Sequence, residues 1–461
     1  MLPHARSHSL SPLADMTGRV VTPDDPAYDD TRAVFYGGID KRPSAIVPVA
    51  NVDDVRRGIA TARARDHELA VRSGGHSICG HSTTDGGLVI DLRDLSKIDI
   101  DADRRTAWIE AGATALQVTE ALAPYELAIG FGDSGSVGVG GITLGGGIGF
   151  LVRKFGMTID ALLAAEIVTA DGRLRRVDAK HEPDLFWAIR GGGGNFGVVT
   201  RLQFRLNPLP RFTGGILVLP ATPETIAAFA AVSLAAPEEL STIGNVMPAP
   251  PMPFLPEELH GRLVIFAFIA FAGDGEAASR AIAPLRLLAT PLADMVKPQP
   301  YVSMYPPEDP NYRPTPVGRT MFVDAIGIES ARTIYEYLSK SDARMRVAQL
   351  RALGGAMARV PAEATAFAHR TKPMLVNVAA FYEGDHDRER RRTWVSEFKR
   401  ALQPHDDSAY VGFLTDDGDA RIRSTYPGAT WDRLTKIKAT YDPANLFRLN
   451  QNIPPATTDA A

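Results

Sequence analysis

The chain has 461 residues and a formal net charge of −4. That length is more than one hydrophobic core organises, and that charge offers no general attraction to nucleic acid or an anionic membrane. Hydrophobic residues at 45% and charged residues at 23% give the balance of a globular chain. The single cysteine, Cys79, excludes an internal disulfide and cysteine-rich zinc or iron–sulfur sites. No metal site is expected. No uninterrupted apolar run reaches bilayer length, and the first twenty residues lack the apolar stretch of a secretory signal. The cytoplasm is the expected location.

Residues 1–14 read as a polar, flexible tail. A strand is predicted at 43–50, and Asn51 or Asp53 is placed to cap the helix that follows. In that helix Val55, Ile59 and Ala62 recur at helical spacing, with Arg56, Arg57 and Arg63 outward. Strands are predicted at 69–71, 88–92 and 108–111, and a helix at 115–122. The run 160–207 continues with a strand at 162–168, a turn at Asp171-Gly172, a short helix at 184–189 and a strand at 198–204. Pro208 and Pro210 mark a boundary. Beyond it, apolar runs at 215–219, 263–269 and 375–381 alternate with helical segments such as 223–234. This predicts an antiparallel sheet backed by helices. The segments 248–256 and 298–316 read as loops, 347–353 as a strand, and Arg388–Arg392 with its acidic neighbours as a solvated helix face. A helix at 431–441 precedes a return to the first domain. The expected division is a tail to 14, a first domain at 15–210, a second at 211–405 and a returning segment at 406–461.

Four glycine- or asparagine-bearing segments carry the chemistry. Residues 71–82 read V-R-S-G-G-H-S-I-C-G-H-S. Ser73, Gly74 and Gly75 let successive amides point at one spot, a nest that binds phosphate oxygens, and His76 follows at once. Residues 132–149 read G-D-S-G-S-V-G-V-G-G-I-T-L-G-G-G-I-G, where missing Cβ atoms allow close backbone approach. Residues 185–200 contain Gly192–Gly197, which satisfies G-x-G-x-x-G. A dinucleotide fold of the Rossmann type requires a strand before and a helix after that motif, and here the order is reversed. Residues 440–454 place Asn450 and Asn452 on one side of an extended segment. Gly132-Asp133-Ser134-Gly135 also matches the serine surroundings of chymotrypsin-like proteases, but the glycine runs and mixed α/β order contradict that all-β fold.

Taken together in this order and spacing, the four segments resemble the FAD-linked oxidases of the vanillyl-alcohol oxidase superfamily. The nearest branch is the berberine-bridge-enzyme-like group, in particular bacterial members with one covalent flavin bond. The resemblance implies an α+β fold of two domains: a mixed α/β FAD-binding domain of the PCMH type and a substrate domain of antiparallel sheet backed by helices. It implies FAD bonded through His76 only, because Ser134 stands where bicovalent relatives carry a cysteine and Cys79 lies outside the matching motif. The cofactor residues it suggests are Arg72, Ser73, Gly74, Gly75, His76, Ser77, His81 and Ser82, then Asp133, Ser134, Gly138, Gly141, Gly145 and Gly146. Val198 is expected to offer its backbone to the adenine, and Asn450 and Asn452 to reach the flavin or the substrate. Val137 stands where a small residue in the superfamily admits oxygen to the flavin, which suggests an oxidase.

The substrate side is thinner. Gln349 and Arg351 share one face of a predicted strand and are pocket candidates, Gln349 first. His369 is a further substrate candidate. Arg359 and Arg370 either touch substrate or brace the domains. Tyr382, at a strand end, is a catalytic candidate. Hydride removal from an alcohol needs a base, and neither a carboxylate nor a tyrosine stands out for it, so either a loop tyrosine supplies it or the substrate is acidic enough. The expected activity is hydride transfer from a small organic alcohol, amine or secondary metabolite to FAD, with oxygen reduced to hydrogen peroxide. The alternatives are a dehydrogenase of the same fold using another acceptor, and a flavin-containing drug-binding or resistance protein.

Overall fold

The computed structural model describes Leu13 and residues 15–403, 408–415 and 418–457. The expected flexible tail lies outside the described residues, apart from Leu13. That residue is buried in one cluster with Val47, Ile59 and Ile90.

After a short helix at Tyr28–Arg32 come three short strands, β1 (Ala45–Pro48), β2 (Leu69–Arg72) and β3 (Leu88–Asp91), paired in parallel in the order β1-β3-β2. Between β1 and β2 runs α1 (Val52–Arg65). Asn51 caps it by accepting a hydrogen bond from the Asp54 amide. Val55, Ile59 and Ala62 line its buried face, as their spacing requires. A five-stranded antiparallel sheet follows, built from β4 (Ile98–Asp101), β5 (Thr106–Glu110), β6 (Leu162–Val168), β7 (Leu174–Asp178) and β8 (Val198–Arg205). Its order is β4-β5-β8-β6-β7. Gly172, at a φ of 79°, turns the chain between β6 and β7.

Helix α2 (Ala115–Leu122) opens on a reciprocal cap between Thr114 and Gln117. The glycine run holds a helix that its composition argues against, α3 (Val139–Gly145). Here packing overrides propensity. Val139, Gly140, Thr143 and Leu144 are buried, and the Thr143 hydroxyl donates to the Val139 carbonyl at 2.6 Å. A short helix, α4 (Pro183–Ala188), leads into the second glycine cluster.

The remainder is dominated by an eight-stranded sheet. Its long strands are β9 (Thr213–Pro220), β10 (Leu240–Pro248), β11 (Leu263–Phe271), β12 (Pro316–Val323), β13 (Arg346–Ala352) and β14 (Met374–Phe381), all antiparallel in the order β9-β11-β10-β13-β14-β12. Helices α5 (Pro223–Ala235), α6 (Gly275–Arg286), α7 (Ile328–Lys340) and α8 (Asp385–Leu402) cover one face. Leu217, Ile265, Leu350 and Val376 from the sheet share a buried cluster with Ile226, Ile282, Ile334 and Phe398 from the helices. Each such apolar side chain contributes ~2 kcal/mol relative to exposure. The opposite face, through Ile243 and Leu375, packs into the cluster of the five-stranded sheet. Along α8, Arg388 and Arg390 are exposed as expected, but Arg391 is buried, paired with Asp387 at 2.9 Å, and also reaches Asp342.

Arginines join the two sheet systems. Arg370, fully buried, donates to Asp160 and Thr365, each at 2.8 Å. Arg153 donates to the carbonyls of Leu353 and Ala236, each at 2.6 Å. Arg359 pairs with Glu238 at 2.6 Å within the second region. The Asp160 contact favours the bracing role for Arg370, whereas the partner of Arg359 lies in its own region. The last helix, α9 (Ala429–Tyr441), places Leu434 and Ile437 in the first region's core. Among the described residues no helix is long and apolar enough to cross a membrane.

Candidate active site

The glycine runs meet around a cavity of about 380 Å³, and its wall includes both histidines of the first motif, His76 and His81. The loop after β2 supplies one wall. The Ser73 hydroxyl donates to the Ala111 carbonyl at 2.6 Å, and Gly75 takes a φ of 76°. Gly74 and Gly138 touch backbone to backbone. A Cβ on Gly74 would lie 2.3 Å from the Gly138 nitrogen, and one on Gly138 would lie 2.2 Å from the Gly74 nitrogen. Gly141 and Gly194 also line the cavity, with nothing within 4 Å of an added Cβ. At these two positions the bare backbone faces open space into which a ligand can settle.

His76 stacks on Phe35, with ring centroids 4.0 Å apart, and its Nε2 lies 2.9 Å from the Ser136 hydroxyl. Burial pulls its pKa down to about 4, against the opposing pull of Glu308 and Asp133. The imidazole is therefore neutral at physiological pH. Tyr36, also on the wall, is pushed up to about 12 by burial and remains a phenol. Tyr410 accepts the Gly147 amide at 3.0 Å, and burial raises its pKa too.

The C-terminal segment closes the other wall through the second glycine cluster. The Asn195 side chain donates to the carbonyls of Gly192 and Gln451 and accepts the Ile453 amide. Lys438, buried beside Asp442 at 2.6 Å, donates to the carbonyls of Asn195 and Phe447. This knot fixes Asn450 on the cavity wall. Its amide nitrogen donates to the Phe447 carbonyl at 3.0 Å, whereas its Oδ1 is buried with no hydrogen-bond partner. The Ser82 hydroxyl, also on the wall, is likewise orphaned. Buried polar groups are normally satisfied, so orphans lining a cavity indicate a polar ligand that satisfies them. The open glycines, the amide-rich loop and these two orphaned groups fit a dinucleotide.

From the large sheet comes a chain of side chains. Asn245 donates to the Phe266 carbonyl at 3.1 Å, Gln349 donates to Asn245 at 2.9 Å, and Arg351 donates to Gln349 at 2.8 Å. Arg351 then pairs with Asp133 of the cavity wall at 2.6 Å and lies 4.9 Å over the Phe413 ring. Arg351 thus stands directly behind the cavity wall, with Gln349 one residue further back.

Several sequence-derived candidates stand elsewhere. Arg72 is buried against Asp91, at 2.6 Å, because its side chain points out of the nest into the sheet's polar edge. His369 is held between the Phe322 ring and the Thr425 carbonyl, at 3.1 Å, inside the core. Tyr382 lies in the helix-covered cluster with its hydroxyl against Gly38, since the strand end faces away from the cavity. None of these three lines the cavity. Gly146 serves a tight turn against Met157, and Val198 is buried in the cluster around β1 and β3. Asn452 keeps an orphaned Oδ1 but is not on the wall. The residues that do meet there are Ser73, Gly74, Gly75, His76, Ser77, His81, Ser82, Asp133, Ser134, Val137, Gly138, Gly141, Gly145 and Asn450.

Sequence reasoning missed Glu308. Its carboxylate accepts from the Ser134 hydroxyl at 2.9 Å, the Gly135 amide at 3.0 Å, the Ser136 amide at 3.3 Å and the Ser136 hydroxyl at 2.5 Å. It sits in a proline-rich loop that carries no periodic signal. Ser136 was inside a quoted motif, but nothing local marked it as the partner of His76.

A model described as an FAD binding domain matches residues 43–178, and one described as berberine and berberine like matches residues 409–454. The uncharacterized FAD-linked oxidoreductase YgaK of Bacillus subtilis (strain 168) is 31% identical over 459 residues, covering 95% of this chain and 97% of its own. The chain belongs to the berberine-bridge-enzyme-like FAD-linked oxidoreductases. The (R)-6-hydroxynicotine oxidase of Paenarthrobacter nicotinovorans is 28% identical, covering 97% of this chain and 99% of its own. The crystal structure of 6-hydroxy-D-nicotine oxidase from Arthrobacter nicotinovorans superposes with a TM-score of 0.85 at 26% identity, over 97% of this chain and all of that one. Physcomitrella patens BBE-like 1, at 23% identity and a TM-score of 0.86, shares the fold. This berberine-bridge-like chain is thus an FAD-binding enzyme of the PCMH-type α+β fold, an oxidoreductase.

Proposed function

We propose that the protein is an oxidase carrying FAD on a single covalent bond to His76. FAD, when bound, supplies a two-electron acceptor for a hydride from a C–H bond and hands the electrons to oxygen, which leaves as hydrogen peroxide. The observation that carries this reading is a neutral, half-buried imidazole, stacked on Phe35 and held through Nε2, at the wall of a glycine-lined cavity. One bond rather than two is supported by Ser134, whose hydroxyl is committed to Glu308, and by Cys79, which bonds the Leu414 carbonyl and lies off the wall.

The open glycines Gly141 and Gly194 would take the cofactor closest to the backbone, and Asn450 Oδ1 and Ser82 Oγ would supply its polar partners. Val137, on the wall, would gate oxygen. The substrate would be an organic alcohol, amine or secondary metabolite held from the sheet side, with Gln349 and Arg351 as candidates. The relative named as a hydroxynicotine oxidase favours a small ring-bearing amine within that range. The FAD unit would comprise residues 15–210 with 406–461.

His76→Ala should release all flavin on acid precipitation, and the intact mass of the unsubstituted chain should carry one flavin adduct. Yellow pellets from the variant overturn the attachment. Anaerobic mixing with a panel of amines and alcohols should bleach the flavin, and air-saturated buffer should restore it within the turnover time. Slow restoration favours a dehydrogenase, and tight binding without bleaching favours a drug-binding protein.

A further inference from the structure

We infer that Glu308 and Ser136 act as a positioning relay that holds His76 in the tautomer able to form its flavin bond. This inference rests on the reading of His76 as the attachment residue. It follows from proton accounting around three side chains. Ser134 and Ser136 each donate their only hydroxyl proton to Glu308, at 2.9 and 2.5 Å. The amides of Gly135 and Ser136 donate to the same carboxylate. Burial pushes the Glu308 pKa up, but the hydroxyls of Ser136 and Ser134 and the Ser136 amide outweigh it and hold the carboxyl below its ordinary value. With its proton committed, the Ser136 oxygen faces His76 Nε2 at 2.9 Å only as an acceptor. His76 is neutral, so its one ring proton must sit on Nε2. Nδ1 then carries the lone pair.

The arrangement has the logic of an activated nucleophile, with the base acting through an interposed hydroxyl. As Nδ1 bonds the flavin 8α carbon, positive charge develops on the ring. The Nε2 proton passes to Ser136 as the Ser136 proton passes to Glu308. One proton leaves the 8α methyl, and the electron pair it leaves behind is taken by molecular oxygen. The sum is imidazole N–H plus methyl C–H plus oxygen, giving the N–C bond and hydrogen peroxide. Glu308 reaches this point from a loop between β11 and β12, 172 residues away in sequence.

The test is the fraction of full-length chains that keep flavin after acid denaturation, read by intact mass, alongside noncovalent FAD retained before denaturation. Ser136→Val and Glu308→Gln are expected to lower the covalent fraction at least fivefold while FAD still copurifies. Ser136→Thr, which restores the hydroxyl on the same side-chain volume as valine, is expected to restore attachment. A structural role alone would give valine and threonine the same result. Full attachment in both Ser136→Val and Glu308→Gln, with His76→Ala free of adduct, overturns the relay and leaves the attachment residue intact. Adduct persisting in His76→Ala overturns the attachment reading itself.

Discussion

Around the cavity, residues 73–77, 132–141 and 192–197 act largely through bare backbone, whereas the large sheet offers single side chains spaced along separate strands. On the glycine side, recognition depends on what is missing: a Cβ on Gly74 or Gly138 would strike a neighbouring peptide, and one on Gly141 or Gly194 would fill space left open to a ligand. On the sheet side it depends on what is added: Asn245, Gln349 and Arg351 satisfy one another before any ligand arrives. The first kind of wall tolerates almost no substitution. The second can be retuned one residue at a time, which is where differences of substrate among relatives would be written.

Substitutions on the two sides should separate these behaviours. Gly74→Ala sets a methyl 2.3 Å from the Gly138 nitrogen, and backbone at that distance has no cheap escape. The expected outcome is chain without flavin, seen as loss of visible absorbance. Asp91→Asn removes the charge paired with Arg72, which is buried with its Nε already lacking a partner. Breaking such a pair costs about 3 kcal/mol or more, measurable by urea unfolding with flavin content as the second readout.

A third experiment concerns His76 in flavin-free chain. Its folded pKa of about 4 lies below the unfolded value of 6.5, so the unfolded chain binds the extra proton between them. Stability from this residue is full above pH 6.5 and is lost as pH falls toward 4, on the order of 3 kcal/mol. His76→Phe should flatten that part of the pH–stability profile, and an unchanged slope would refute the assignment. Smallest is Gln349→Ala on the sheet side. It leaves Arg351 and Asn245 each short of one bond and should raise KM by about fivefold with flavin content unchanged.

Much of the first region was legible from residue order. Asn51 caps its helix, Val55, Ile59 and Ala62 face the core, and the turn at Gly172 joins two antiparallel strands, because each rests on neighbours within a few positions. The helix at Val139–Gly145 was not legible, since burial of Val139 and Leu144 outweighs the poor propensity of its glycines. Nor were the fates of Arg72, His369 and Tyr382. Each stands beside a motif or strand end, and only the direction of the side chain separates cavity from core.

By itself, then, the order of residues determined that a dinucleotide-binding backbone exists, with one imidazole set beside it. Binding through peptide groups requires consecutive small residues, and these leave a contiguous record. Only the tertiary structure decided which side chains serve that imidazole. Glu308 meets Ser136, and Arg351 meets Asp133, across 172 and 218 positions of chain. Contacts at such separations are made by how sheets and loops pack, and no local pattern encodes them.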